Sequence, residues 1–239
     1  MATDSETRSP HSQTLSRGIR VLELLSEAGE PLTIAQVADG LGVHRSIAYR
    51  ILRTLEDHGL VERDDAGRLV LGIRLAVLAR SVSRDLQTVA LPELTAIANE
   101  FGATTFITAF DHREVVTLVS VEPQRSHASV AQRPGSHHSV RTGAPGIAVQ
   151  MQMTPAQLAD LAADDLALPA ETLRACAVDG YATSSDEVIP GLSSIAVPLR
   201  VPGGQLMSLA VVYLHASQDV DALAARLRAG AHDIASALG

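Results

Sequence analysis

The stretch HRSIAYRILRTLEDHG, residues 44–59, decides how the chain reads. Advancing about 100° per residue puts Ile47, Ala48, Ile51, Leu52 and Leu55 on one arc and Arg45, Ser46, Tyr49, Arg50 and Arg53 on the opposite one. No acidic residue lies between His44 and Thr54. One face therefore suits a core, and the other carries three guanidinium groups, a phenol and a hydroxyl. Arginine is suited to bidentate contact with guanine edges and phosphates, so this face is expected to read DNA. A merely solvated helix face would look similar, and the flanking sequence has to separate the two readings.

Upstream, Leu15, Ile19, Leu22 and Leu25 recur at helical spacing, and Gly29-Glu30-Pro31 ends that helix. Thr33 is the expected N-cap of a second short helix, Ile34–Leu41, and Gly42 a tight turn before the third. Downstream, in LVERDDAGRLVLG, two short apolar runs flank Asp64-Asp65-Ala66-Gly67, the pattern of a β-hairpin. Helix, helix, turn, helix, hairpin is the order of a winged helix-turn-helix, placed at residues 14–72 behind a polar, disordered tail at 1–13. The N-terminal part of a recognition helix reaches base edges, and later residues meet phosphates. Arg45, Ser46 and Tyr49 are thus expected at bases or groove, with Arg50 beside them and Arg53 on phosphate. Arg68, near the hairpin tip, has two readings: contact with the DNA backbone or minor groove, or a charge paired with Glu62 or Asp64.

Residues 73–91 read as a linker helix, with a break near 85–91 because Pro92 should open a new helix. Strands are expected at Thr104–Phe110 and Val115–Val121 around an Asp111–Glu114 turn, at 128–131, at Ser194–Arg200 and at Leu206–Tyr213. Residues 132–143 read as a loop, 144–178 as helical segments around Pro155 and Pro169, and 219–238 as a last amphipathic helix. The second domain, 92–239, is thus mixed α and β, and the whole an α+β two-domain chain.

Composition bounds the function. Of 239 residues, 46% are hydrophobic, enough for packed cores, and 3% are aromatic, which argues against recognition of single strands or sugars by ring stacking. The net charge is −8, and all 19 basic residues are Arg. Residues 1–85 hold 11 Arg against 12 acidic residues, whereas 86–239 hold 8 against 15, so any DNA surface is a local patch in the N-terminal third. A single cysteine, Cys176, excludes an internal disulfide and fits a reducing cytoplasm. Apolar runs are too short and interrupted to span a membrane, and the polar first dozen residues do not read as a signal peptide.

Taken with SRGIRVLELL, PLTIAQVADGLGVHRSIAYRILRTLEDHGLVERD and RLVLG in the first domain, LPELTAIANEFGATTFITAFD and GYATSSDEVIPGLSSIAVPL in the second make the chain resemble the IclR family of bacterial transcriptional regulators. The resemblance spans residues 14–239. It implies a winged helix-turn-helix, a linking helix and a GAF-like effector-binding domain, in a dimer or dimer of dimers on promoter DNA. Its effector site maps onto Gly143 and Ala144 at a helix N-terminus, whose free N–H groups would suit a carboxylate, and onto Ser184, Ser194, Val211 and Tyr213. The family's acidic, Cys and hydroxyl positions are replaced there, which points away from a small polar acid and toward an aromatic or partly hydrophobic acid or amide.

Other chemistry finds little support. His112, His127, His137 and His138 lie near Asp111 and Glu114, but no spacing forces them to converge on a metal. Ser136 and Ser139 lack a nucleophile elbow, so no hydrolase is expected, and nothing calls for a cofactor. The expectation is a cytoplasmic, ligand-responsive, self-associating DNA-binding regulator without catalysis, controlling catabolic genes. The alternative from another class is a ligand-sensing module that acts through protein contacts only.

Overall fold

The computed structural model describes residues 12–79, 84–124, 130, 132–214 and 218–239. The chain divides into two compact units, Met1–Val82 and Ser83–Gly239.

In the first unit, α1 (Gln13–Glu27) starts at once after Ser12, whose hydroxyl accepts from Leu15 N, so the expected tail gives up its last residue, Gln13, to the helix. A capping box opens α2 (Ile34–Leu41): Thr33 Oγ1 accepts from Gln36 N at 3.3 Å and Gln36 Oε1 from Thr33 N at 2.8 Å. Gly42 closes it at φ 62°, a left-handed conformation that glycine adopts without steric penalty, and turns the chain into α3 (Arg45–Asp57). The wing is β1 (Val61–Arg63) paired antiparallel with β2 (Leu69–Leu71). Asp64 Oδ1 closes its turn by accepting from the N–H groups of Ala66 and Arg68. Val21, Val37, Ile51, Leu52, Leu55, Val61 and Leu69 form one core, so α3 is fixed from behind by α1, α2 and the wing. Ile47 is not part of it: at 39% exposure it lies at the edge of the buried arc. A short helix, α4 (Arg74–Ala79), buries nothing within the unit.

The second unit is a six-stranded antiparallel sheet with helices on both faces. Its strands are β3 (Thr104–Asp111), β4 (Glu114–Val121), β5 (His137–Ser139), β6 (Ala182–Ser185), β7 (Leu192–Arg200) and β8 (Leu206–Leu214), in the order β5-β4-β3-β8-β7-β6. On one face α5 (Arg84–Phe101) and α9 (Val220–Leu238) pack over Ile107, Ile195, Val197, Leu209 and Val211. On the other, α6 (Gly143–Gln150) and α8 (Ala170–Asp179) pack over Phe106, Ala196, Ala210 and Val212, and α7 (Pro155–Ala163) packs beside α6. β3 and β8 are therefore buried on both faces, with Thr104, Thr105, Thr108 and Ser208 among their buried residues.

Two expectations fail here. No break occurs near 85–91: α5 runs through Pro92 without interruption. Leu86, Ala90, Leu94, Ile97 and Ala98 form one buried stripe across the proline, and that packing outweighs the lost N–H. Residues 86–91 thus belong to the core of the second unit rather than to a linker. The loop expected at 132–143 contains an edge strand, β5, with Val115 opposite His138 and Val116 opposite His137. The strand expected at 128–131 lies outside the described residues except for Val130, which is not in a strand.

Among the described residues no helix is long and apolar enough to cross a membrane.

Candidate nucleic-acid interface and ligand cavity

The turn between α2 and α3 sets the exposed face of α3. His44 is the N-cap, with Nδ1 3.3 Å from Ser46 N and 2.9 Å from Ser46 Oγ. Because the amide can only donate, Nδ1 is the accepting nitrogen. Ser46 is thereby held inside the cap and is less available to a groove than its exposure suggests. Tyr49 is 48% exposed, and Arg45, Arg50 and Arg53 are exposed on the same side. Among the described residues Arg45 and Arg50 have no acidic partner, whereas Arg53 Nε lies 3.7 Å from Asp57 Oδ1 one turn on. The charge needed for an anionic partner is concentrated in the first two turns, where the helix N-terminus adds its own positive potential. Of the two readings of Arg68, the ion pair is present: Nε is 3.0 Å from Asp64 Oδ2. The backbone N–H of Arg68, followed by its side chain, holds the Asp64 carboxyl below its ordinary value.

The second unit contains a cavity of about 50 Å³ between α6, β7, β8 and the turn after β6. At roughly 10–15 Å³ per water, this holds a few waters and no aromatic ring until side chains move. Phe106, Pro145, Leu192 and Val212 form apolar walls. Val188 and Ile189 close it from the β6–β7 turn, and both are nearly half exposed. Its polar lining includes Gln132, His138, Ser184, Glu187 and Ser194. Among the described residues no arginine lines it.

The expected site residues divide. Gly143, Ala144, Ser184 and Ser194 do come together. Their N–H groups are not free: Gly143 N donates to Glu187 Oε2 at 2.8 Å and Ala144 N to Ser184 Oγ at 2.9 Å. Ser184 Oγ is also 2.8 Å from Ser194 Oγ. The N-cap residue Thr142 makes no side-chain cap bond of its own, so α6 is capped from 40 and 44 residues away. α6 sits close enough for this because Gly146 lacks a Cβ, which would fall 2.3 Å from Val140 O.

Val211 and Tyr213 do not belong to the cavity. They share a face, as their spacing requires, but it is the face under α5 and α9. The cavity wall is Val212, with Ala210 on the same face in the core beneath α6. A one-residue shift along a strand exchanges its faces, and β8 is apolar on both, so the pattern did not fix which face turned toward α6. The wall is apolar all the same.

Glu187, His138, Gln132, Phe106 and Val212 also line the cavity, and nothing in the sequence marks them as effector-binding residues. His138 Nδ1 lies 3.0 Å from the Ser139 carbonyl, so Nδ1 carries the proton and Nε2 remains an acceptor. Burial pushes its pKa below the ordinary value, which keeps the ring neutral. The other histidines do not join it in a site: His112 pairs with Asp111 at the tip of the β3–β4 hairpin, and His137 lies 3.9 Å from Glu114. His127 lies outside the described residues.

Comparisons with known proteins bear on both units. The family model for the IclR helix-turn-helix domain matches residues 14–65. The HTH-type transcriptional regulator Rv1719 of Mycobacterium tuberculosis is 30% identical over 224 residues, spanning 88% of this chain and 85% of that protein. A solved IclR transcriptional regulator from Alicyclobacillus acidocaldarius superposes with a TM-score of 0.84 at 25% identity, covering 96% of this chain and 100% of its own. An IclR homolog from Microbacterium hydrocarbonoxydans, solved in complex with 4-hydroxybenzoate, gives 0.82 at 23% identity over 95% of this chain and 99% of its own.

Proposed function

The chain belongs to the IclR family of transcriptional regulators, and from that premise we propose that α3 reads promoter DNA and that the cavity beneath α6 receives the effector. The protein is a DNA-binding transcriptional regulator. The reading of its DNA contacts rests on one observation: the exposed face of α3 from Arg45 to Arg53 is free of acid, and Arg45 and Arg50 have no acidic partner among the described residues. Arg45 and Tyr49 reach base edges, Arg50 lies beside them and Arg53 meets phosphate. A two-fold assembly, dimer or dimer of dimers, lets two such helices read a palindromic operator, since one winged helix contacts few base pairs. The protein works without catalysis in the cytoplasm and controls catabolic genes. A mobility shift on its own promoter that is sequence-specific and weakened by salt supports this reading. A protein that shows no such shift with or without small molecules acts instead through protein contacts.

For the effector, the apolar wall of Phe106, Leu192 and Val212 facing Ser184 and Ser194 suits an aromatic or partly hydrophobic acid or amide rather than a short keto acid. The likeness to a homolog solved with 4-hydroxybenzoate supports an aromatic ligand. Calorimetry with glyoxylate, pyruvate and a panel of benzoates and benzamides tests it. Tight glyoxylate binding without any response to an aromatic compound overturns it.

A further inference from the structure

An acid and an amide of the same shape make opposite demands on a site, and the polar groups of the cavity discriminate between them. A ligand carboxylate has acceptors only, and it needs donors or a cation. The two donors best placed to serve it, the N–H groups of Gly143 and Ala144, already meet Glu187 Oε2 and Ser184 Oγ. The group at Gly143 is itself a carboxylate, so the positive end of α6 is already compensated. Among the described residues no arginine lines the cavity, and the chain has no lysine. His138 is kept neutral by burial, and with its proton on Nδ1 it has an acceptor at Nε2. Gln132 donates one of its two amide hydrogens to Thr117 Oγ1 at 2.8 Å, and its Oε1 is an acceptor as well. The remaining donors are uncharged: the serine hydroxyls and the second amide hydrogen of Gln132. Among the described residues the lining is therefore rich in acceptors, carries one carboxylate and has no cation to balance a second.

Glu187 is not held by the Gly143 bond alone. It sits in a turn whose base is closed by two further hydrogen bonds, Asp186 N to Leu192 O at 2.9 Å and Gly191 N to Asp186 Oδ1 at 2.7 Å. Val188 and Ile189, by contrast, cover the cavity with half-exposed side chains.

We propose that Glu187 sets the charge of the effector: the cavity selects an uncharged apolar molecule ending in a hydrogen-bond donor, such as an aromatic amide, over the corresponding carboxylate. This rests on the cavity being the effector site, and the experiment separates the two claims.

Benzamide and benzoate are titrated, at neutral pH, into the full-length protein and its E187Q and Val212→Phe variants, by calorimetry or ligand-observed NMR. The amide oxygen introduced by E187Q can still accept from Gly143 N, so the substitution removes charge without removing the cap. The wild type should bind benzamide at least tenfold more tightly than benzoate, and E187Q should shrink that ratio to threefold or less, chiefly by improving benzoate. Val212→Phe, which fills the cavity, should abolish both. Benzoate binding as tightly as benzamide, or a ratio untouched by E187Q, overturns the role of Glu187 and leaves the cavity as effector site. Binding that survives Val212→Phe, or absence of binding by either compound, overturns the cavity itself as the effector site and this inference with it.

Discussion

Ala144 and Ser184 lie 40 residues apart in sequence, and a hydrogen bond of 2.9 Å from the amide of one to the hydroxyl of the other caps α6. Ser184 is in turn 2.8 Å from Ser194 on the neighbouring strand, so the helix start, the edge strand β6 and β7 are joined through one oxygen. Ser184 also lines the cavity. A substitution at Ser184 therefore perturbs the helix cap and the cavity wall together.

Ser184→Ala should leave the Ala144 N–H without its partner. Loss of a capping side chain costs about 1 kcal/mol, so the urea midpoint of the second unit's transition should fall while its m-value holds. Ser194→Ala keeps the Ala144 bond and should cost less. Equal losses in the two variants would mean that the serine pair, and not the cap, carries the effect.

On α3, Arg45→Ala and Tyr49→Ala should reduce the preference for operator over scrambled DNA. Each lost base contact costs roughly 1–3 kcal/mol of discrimination. Arg53→Ala should weaken both DNAs about equally, and less steeply, because Asp57 already offsets part of its charge. Competition binding at fixed salt measures both. An unchanged specificity ratio for Arg45→Ala removes that residue from the base-reading set.

How much of this was legible follows from the range of each interaction. α3 was readable because its two faces differ in chemistry at a period that the sequence displays, and Thr33, Gly42 and Asp64 mark their turns through local backbone contacts. β5 (His-His-Ser) and β6 (Ala-Thr-Ser-Ser) were not, since both are short, polar edge strands whose pairing comes from distant partners. Pro92 misled because a local helix breaker was outweighed by a buried stripe visible only once α9 and the sheet are in place. Val211 and Tyr213 were paired correctly with each other and assigned to the wrong face. In LMSLAVVYL no polar residue between 209 and 212 marks either side. Glu187 reaches Gly143 across 44 residues, and no periodicity announces a contact of that kind.

Gln150 holds the far end of α6. Its side chain is fully buried, with Nε2 donating to Val140 O at 2.9 Å and Leu166 O at 3.2 Å, and Oε1 accepting from Leu168 N at 2.8 Å. Gln150→Leu keeps the volume and orphans three backbone groups. At about 1–3 kcal/mol for each buried unsatisfied group, the loss should be at least ~3 kcal/mol. Gln157→Ala, which removes an exposed capping-box residue at α7, should cost about 1 kcal/mol by comparison. Chemical denaturation of the two variants compares them directly, and similar losses would show that the buried amide network is not the stronger tie.

His138 should make the stability of the second unit depend on pH in a defined direction. Its pKa is lowered from 6.5, chiefly by burial, with the Ser139 and Glu114 contacts opposing. The unfolded chain therefore binds a proton at this position more readily than the folded one. Stability rises with pH wherever the unfolded state holds more protons, so the contribution of His138 is present in full above 6.5 and is lost as pH falls through the lowered folded value. The charged and titratable groups near it, Glu114, Glu187 and His137, are present in both proteins compared. His138→Gln removes the titrating group and retains a hydrogen-bonding side chain. Thermal unfolding in steps from neutral to mildly acidic pH should show the wild type losing stability faster than the variant. Parallel profiles would place the buried ring's proton uptake outside this window, and a steeper profile in the variant would reverse the sign argued for it.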